Sequence, residues 1–135
     1  MIIDNCQLTK RERIVSRKLI ETLFGGGDSR SLVAFPLRVV YMKKDCAKGD
    51  TPVQMLVSVP KKRFHHAVDR NRVKRQVREA YRQHKQLLWQ SMPADQQLLA
   101  AFVWLSDRHL PTADVSQRVA SLIRRVAEKV KVNSE

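Results

Sequence analysis

The sequence predicts an α+β fold of the α/β sandwich type, a single domain with a central, mostly antiparallel sheet and helices. Three segments are rich in β-branched and aromatic residues or are continuously apolar, as strands are: 31–44, 53–59 and 97–105. Three others repeat apolar residues at helical spacing: 16–24, 70–88 and 112–130. A chain of 135 residues is long enough to bury one core without staples. We therefore expect one domain spanning residues 1–135.

The first helix is predicted from about Ser16 to Phe24, after a basic arm over residues 1–15. A capping box that begins at Thr9 offers a rival start. The glycines at 25–27 are expected to end the helix, because glycine readily adopts the positive φ that helix ends use. The apolar residues of this helix form a stripe that is wide enough to face both a core and a second surface: Leu19, Ile20, Leu23 and Phe24.

The strand order follows from the breaks between the apolar segments. Segment 31–44 is predicted as an edge strand with a break at Pro36, because proline cannot donate to a ladder. Segment 53–59 is predicted to pair back on it in the antiparallel sense. Segment 97–105 is apolar throughout and suits the sheet centre. A helix between the last two strands implies parallel pairing between them, and general sterics favour a right-handed crossover.

A last helix is predicted from a cap at Thr112 or Asp114. It has one apolar stripe, expected to pack on the sheet: Val115, Val119, Leu122, Ile123, Val126 and Val130. Residues 132–135 are expected to be frayed.

Composition points to a polyanionic partner. The net charge is +13 and the isoelectric point is near 10.5, which favours nucleic acid over the alternative, an anionic membrane surface. The N-terminus lacks the pattern of a secretory signal, and the longest apolar run, 98–105, is far too short to span a bilayer. Two isolated cysteines, Cys6 and Cys46, fit a reducing cytoplasm, with a disulfide between them as the alternative. We expect a cytoplasmic protein without a membrane partner.

The most basic part of the chain lies between Lys61 and Lys85, where ten Lys and Arg residues accompany two acidic ones. Its apolar residues fall on one helical stripe: Val73, Val77, Ala80, Tyr81 and Leu88. A neighbouring stripe carries cations and their flanking residues: Arg70, Lys74, Arg78 and Lys85, beside Asn71, Arg75 and Arg82. A solvated charged face is the alternative, but such faces normally mix signs in i,i+4 pairs. One flank is therefore predicted to bind a polyanion.

Asp69 is predicted to cap this helix, which would place Arg70 and Arg72 at its mouth. Phosphates favour helix N-termini because of the dipole and the unpaired amides, and arginine forks strengthen such a site.

No catalytic or metal-binding constellation is visible. A protein nuclease would need clustered carboxylates or a suitably placed histidine pair, and His65 and His66 are adjacent, so they are poorly placed to act together. His84 falls on the apolar stripe and is predicted to be packed and hydrogen-bonded. We assign no catalytic residue and no metal ligand to this chain.

The stretch VSVPKKRFHHAVDRNRVKRQVREAYR resembles the signature region of the protein subunit of bacterial ribonuclease P, and a weaker likeness extends from Leu8 to Val130. The resemblance implies a fold like domain 2 of ribosomal protein S5, with a left-handed β-α-β crossover. It also implies an endoribonuclease in which this chain and a catalytic RNA remove the 5′ leader of precursor tRNA. Magnesium ions would be held mainly by the RNA subunit and the substrate.

The resemblance also assigns residues. Contacts to the RNA subunit are implied for the Arg-Asn-Arg element and its basic neighbours: Arg70, Asn71, Arg72, Arg75, Lys61 and Lys62. Leader contacts are implied for a cleft between the first helix and the sheet and for the helix flank: Phe24, Ile20, Arg38, Lys74 and Arg78. This chain departs from the family where Ile20 replaces a frequent aromatic and Arg38 stands where tyrosine can occur. Ile20 and Phe24 are alternatively core residues.

Three other functions are weighed against this one. A general RNA-binding module, such as a ribosomal-type protein or an RNA chaperone, would suit the same basic helix. A DNA-binding protein would show a helix-turn-helix or dimer signature, which we do not find. An enzyme with its own active site would need the missing acid-base cluster.

Overall fold

The computed structural model describes residues 17–25, 29–45, 51–93 and 95–133, and these form three helices and four strands. In chain order they are α1 (Arg17–Gly25), β1 (Arg30–Ala34), β2 (Leu37–Asp45), β3 (Val53–Ser58), α2 (Ala67–Gln90), β4 (Gln96–Trp104) and α3 (Thr112–Asn133). The predicted basic arm, both cysteines and the glycines at 26 and 27 lie outside the described residues. The α+β fold predicted from the sequence is confirmed.

The four strands form one sheet in the order β1, β2, β4, β3. β2 pairs antiparallel with β1 and with β4, while β3 runs parallel to β4. The predicted central position of β4 and its parallel pairing with β3 are confirmed. β4 takes this position because a strand that is apolar on both faces is buried best between two neighbours. The hand of the β3–α2–β4 crossover stays a prediction.

Two strand predictions were wrong. Segment 31–44 is not one broken edge strand, since the cis Phe35–Pro36 peptide lies in a turn that reverses the chain between β1 and β2. β2 is therefore an inner strand and β1 an edge. β3 does not pair with β2, because β4 lies between them: Ala100 is opposite Tyr41 on one side and Met55 on the other. The prediction assumed that strands consecutive in the sequence are neighbours in the sheet, but β4 lies between β2 and β3.

The sheet separates two apolar clusters. The larger lies under α2 and α3 and includes the alternate strand residues Val39, Met55 and Phe102. The smaller lies on the other face, where Leu23 of α1 packs on Val40. α1 and α2 therefore cover opposite faces of the sheet.

The apolar stripe of α3 is buried as predicted. Its predicted packing on the sheet is confirmed at β1 and β2, but α3 packs mainly on α2, which the sequence did not predict. The predicted cap Thr112 is the first helical residue, and its hydroxyl accepts a hydrogen bond from Nε2 of Gln76 at 3.0 Å. Asp114 lies in the first turn. The helix continues to Asn133, beyond the predicted onset of fraying, and residues 134 and 135 are outside the described part.

Two arginines of α3 cover the outer edge of the sheet. Nε of Arg118 donates to the carbonyl oxygen of Phe35 at 2.9 Å, and Nη1 of Arg125 donates to that of Val33 at 3.0 Å. An edge strand otherwise offers unpaired carbonyls to other chains. The Arg125 contact satisfies one carbonyl of β1, the Arg118 contact satisfies one in the turn that follows it, and both tie α3 to the β1–β2 hairpin.

Candidate nucleic-acid interface

α2 begins at Ala67, two residues before its predicted cap, Asp69. His66 occupies the N-cap position without a side-chain hydrogen bond, and its carbonyl accepts the amides of Asp69 and Arg70 at 3.2 and 3.3 Å. Asp69 therefore lies inside the first turn and is not the cap. Its Oδ1 lies 3.0 Å from Nε2 of His109, a residue of the β4–α3 loop. Helical spacing could not reveal a partner forty positions away in the chain.

The apolar stripe predicted for α2 is buried, which fixes how the rest of the helix faces solvent. Asn71, Arg72 and Arg75 are exposed, whereas Lys74 and Arg78 are half-buried along one flank. The spacing from Arg72 to Arg78 places their side chains about 120° apart around the helix axis. Arg75 lies about 60° from each of them, so the cations of α2 form one continuous arc with Arg72 at one end.

The basic stripe is shorter than predicted. Lys85 is only 1% exposed, and its Nζ lies 4.9 Å from the centre of the Trp89 ring, so its place among the solvent-facing cations was wrong. Arg82 donates through Nε to both carboxylate oxygens of Glu79 at 3.0 Å, and this hydrogen bond lowers the pKa of the glutamate. The exposed cations of α2 therefore lie in its first half.

The β3–α2 loop, residues 59–66, adds two exposed lysines, Lys61 and Lys62. The loop is closed by Arg70, whose Nη1 donates to the carbonyl oxygens of Phe64 and His65, each at 2.9 Å. The side chain predicted to meet a phosphate at the helix mouth is therefore already hydrogen-bonded within the protein.

A second loop, residues 105–111 between β4 and α3, packs against the first. The rings of Phe64 and His109 stack with centroids 4.5 Å apart and an interplanar angle of 15°. Nη1 of Arg63 lies 3.4 Å from Oδ1 of Asp107. Sequence reasoning missed both contacts, because neither loop has a periodic pattern that would reveal its partner.

A cleft of about 330 Å³ opens between α1 and the sheet. Its lining residues are Leu23, Phe24, Ser29, Arg30, Ser31, Arg38, Val40 and Val103. Phe24 is 48% exposed, and Arg38 is exposed with Nη2 3.5 Å from the hydroxyl of Ser31. Proteins bind single-stranded nucleic acids with aromatic rings, on which bases stack, and with cationic groups along a groove, which contact the backbone. The cleft offers one group of each kind.

Ile20 does not line this cleft; it is half-buried and packs against the smaller apolar cluster. Phe24 and Arg38 share the cleft, but Lys74 and Arg78 are on α2, which covers the opposite face of the sheet. Four of the five residues predicted to meet the leader therefore belong to two surfaces, and Ile20 lines neither. His84 is half-buried with Nε2 3.4 Å from the hydroxyl of Ser116, which confirms its predicted packed position.

Within the described ranges, no three residues among His, Cys, Asp and Glu are grouped so that they could hold a metal ion. Over the same residues, no helix is long and apolar enough to cross a membrane.

Known proteins are similar to this chain in sequence. The Ribonuclease P family profile matches residues 8–127. The ribonuclease P protein component of Porphyromonas gingivalis is 42% identical over 125 residues, which cover 91% of this chain and 88% of the relative. That of Nitrosococcus oceani is 36% identical over 80 residues, which cover 59% of this chain and 62% of the relative.

Solved structures share the fold. The ribonuclease P protein of Staphylococcus aureus superposes with a TM-score of 0.62 at 17% identity, covering 85% of this chain and 94% of that protein. The Thermotoga maritima protein gives 0.59 at 20% identity, covering 84% and 96%. The family profile and the first relative each extend over most of the sequence, including the basic first half of α2. The chain therefore belongs to the ribonuclease P protein family.

Proposed function

We propose that this chain binds a catalytic ribonuclease P RNA and the 5′ leader of precursor tRNA, and so assists removal of the leader. The observation that carries the proposal is the cluster of exposed basic side chains where α2 begins, formed by Arg72, Arg75 and the two loop lysines. The complex would be an endoribonuclease, with catalysis by the RNA, and we expect it in the cytoplasm.

The RNA subunit is the proposed partner of this cluster. The basic side chains of the cluster come from two adjacent elements, the first turns of α2 and the loop before it, so they can neutralise several phosphates of one folded RNA. Phosphates also favour the free amides of a helix N-terminus. Each neutralised phosphate releases counterions, so the logarithm of the binding constant falls as the logarithm of the salt concentration rises. Each phosphate contributes about 0.7 to this slope for a single strand and about 0.9 for a duplex.

The leader is the proposed ligand of the cleft. The exposed ring of Phe24 can stack on an unpaired base, while Arg38 on β2 supplies charge to the backbone. Lys74 and Arg78 on α2 would meet a different part of the leader, since α2 covers the other face of the sheet. Ile20 would support the cleft by packing between α1 and the sheet.

Magnesium is proposed to stay with the RNA. The described residues offer no group of carboxylates for such an ion, so we assign no metal ligand and no chemical step to this chain. Its cations reduce repulsion between the catalytic RNA and precursor tRNA, and the complex should need less magnesium for the same rate.

A reconstitution tests the proposal. The purified protein, its cognate ribonuclease P RNA and a 5′-extended tRNA are combined at low magnesium, and each component is omitted in turn. We expect cleavage with all three present and none with protein alone. Cleavage by RNA-free protein would assign the active site to this chain, while equal stimulation of unrelated ribozymes would favour the general RNA-binding module.

A further inference from the structure

Arg70 uses its guanidinium inside the protein. Its Nη1 donates to the carbonyl oxygens of two consecutive residues, Phe64 and His65, both at 2.9 Å. The side chain is half-buried, unlike those of Asn71 and Arg72, which follow it in the same motif. Hydrogen bonds from a charged donor to backbone carbonyls are among the stronger ones in proteins. Arg70 is therefore placed to hold the loop that precedes α2.

His109 holds the same loop from the other side. Its ring stacks on Phe64, which is 8% exposed, and its Nε2 lies 3.0 Å from Oδ1 of Asp69 in the first turn of α2. Phe64 is thus fixed through its carbonyl by Arg70 and through its ring by His109. Aromatic stacking of this kind adds stability beyond the burial of area.

The loop between these contacts carries the two exposed lysines. The amide of Arg63 donates to the carbonyl of Pro60 at 3.0 Å, which closes a turn around Lys61 and Lys62. The guanidinium of Arg63 also approaches Asp107. The direction in which both lysines project therefore depends on contacts made farther along the loop.

We propose that Arg70 and His109 are positioning residues for RNA binding. They hold residues 60–66 so that Lys61 and Lys62 lie beside Arg72 as one preformed cationic surface. Preformed groups bind more tightly because less conformational entropy is lost on association. This inference rests on the proposed function for the identity of the RNA, and it gives Arg70 a role different from the direct phosphate contact that the motif implies.

A double-mutant cycle tests the role of Arg70. Affinity for ribonuclease P RNA is measured for Arg70→Ala alone and in a Lys61→Ala, Lys62→Ala background. We expect Arg70→Ala to lower RNA affinity about tenfold when both lysines are present and less than about twofold when both are replaced. The effects of substitutions at residues that act through one another are not additive. Arg72→Ala, a direct contact, should cost the same in both backgrounds. An equal loss for Arg70→Ala in both backgrounds would overturn the proposal in favour of a direct contact.

Hydrogen exchange of the free protein supplies a readout that does not depend on any RNA. Amides of residues 61–66 should exchange faster in Arg70→Ala and in His109→Ala, but not in Arg72→Ala. His109→Phe keeps the ring stack and should restore part of the protection and of the RNA affinity. Unchanged exchange in both alanine variants would refute the positioning role even where RNA binding persists. If the unmodified protein failed to bind ribonuclease P RNA, the proposed function would fall while the exchange result still decided how the loop is held.

Discussion

The Nζ atom of Lys85 lies 4.9 Å from the centre of the Trp89 ring, and the lysine side chain is buried although it belongs to the most basic segment of the chain. A cation above an aromatic face is stabilised by the ring quadrupole. The aliphatic stem of the lysine adds packing. Lys85 is therefore part of the core in the second half of α2, and charge alone does not identify the residues that meet RNA.

We predict opposite outcomes for two cations of this helix. Lys85→Ala should lower the free energy of unfolding by about 2 kcal/mol, the low end for truncating a long buried side chain, and leave RNA affinity unchanged. Arg75→Ala, which removes an exposed side chain, should weaken RNA binding and leave unfolding unchanged. Urea titrations and RNA-binding isotherms measure both. A loss of RNA affinity in the folded Lys85 variant would contradict the assignment.

These residues show where sequence reasoning succeeds and where it stops. Helical spacing identified the buried stripe of α2 because it is a local property of one element. The same spacing placed Lys85 in solvent, since a helical wheel does not show which flank the neighbouring elements cover. The contact between Asp69 and His109 depends on a loop forty positions away, and the reversal at Pro36 depends on the strand that β2 joins. Tertiary partners decided each of these outcomes.

Phe24 and Ile20 of α1 are predicted to differ in what their loss affects. Phe24→Ala should weaken binding of 5′-extended tRNA by the assembled complex by about 1 kcal/mol, the lower end for a stacked base, with little effect on unfolding because the ring is half exposed. Ile20→Ala should instead destabilise the fold, by about 1 kcal/mol, since it packs on the smaller cluster. If Phe24→Ala lowers the affinity for leader-bearing and for mature tRNA by the same factor, the ring does not belong to the leader site.

The edge arginines Arg118 and Arg125 should contribute to stability. Replacing either by Ala leaves a carbonyl of the β1–β2 hairpin without its charged donor, at a cost of about 1 kcal/mol. Arg124→Ala removes the same charge from an exposed position of α3 and is the matched control. The double variant, Arg118→Ala with Arg125→Ala, should also self-associate at high concentration, because the edge of β1 is uncovered. Unfolding curves and sedimentation test both effects; the same stability for the Arg125 and Arg124 variants would show that the edge contact contributes nothing.

Tyr41 should make stability depend on alkaline pH. Burial raises the pKa of its hydroxyl above the ordinary value of 10.0, although nearby Arg30 acts in the opposite direction. The folded protein therefore holds this proton more tightly than the unfolded chain does. The contribution is complete below pH 10 and is lost as the pH rises through the raised pKa. Tyr41→Phe should lose less stability than the unmodified protein between pH 8 and pH 11 in urea titrations, and parallel losses would contradict the assignment.

Arg72 and Arg78 should separate binding of the RNA subunit from binding of the leader. Arg72 is exposed near the start of α2, whereas Arg78 is half-buried on the flank about 120° away. Arg72→Ala should weaken assembly with ribonuclease P RNA by about 1 kcal/mol whatever the substrate, because one charge-assisted contact is lost. Arg78→Ala should weaken binding of 5′-extended tRNA more than binding of mature tRNA by the assembled complex. Neither residue belongs to the apolar core, so thermal unfolding serves as the control for both variants. If the Arg78 variant loses the same affinity for both tRNAs, the leader assignment of Arg78 is refuted, and that side chain is one more contact to the RNA subunit.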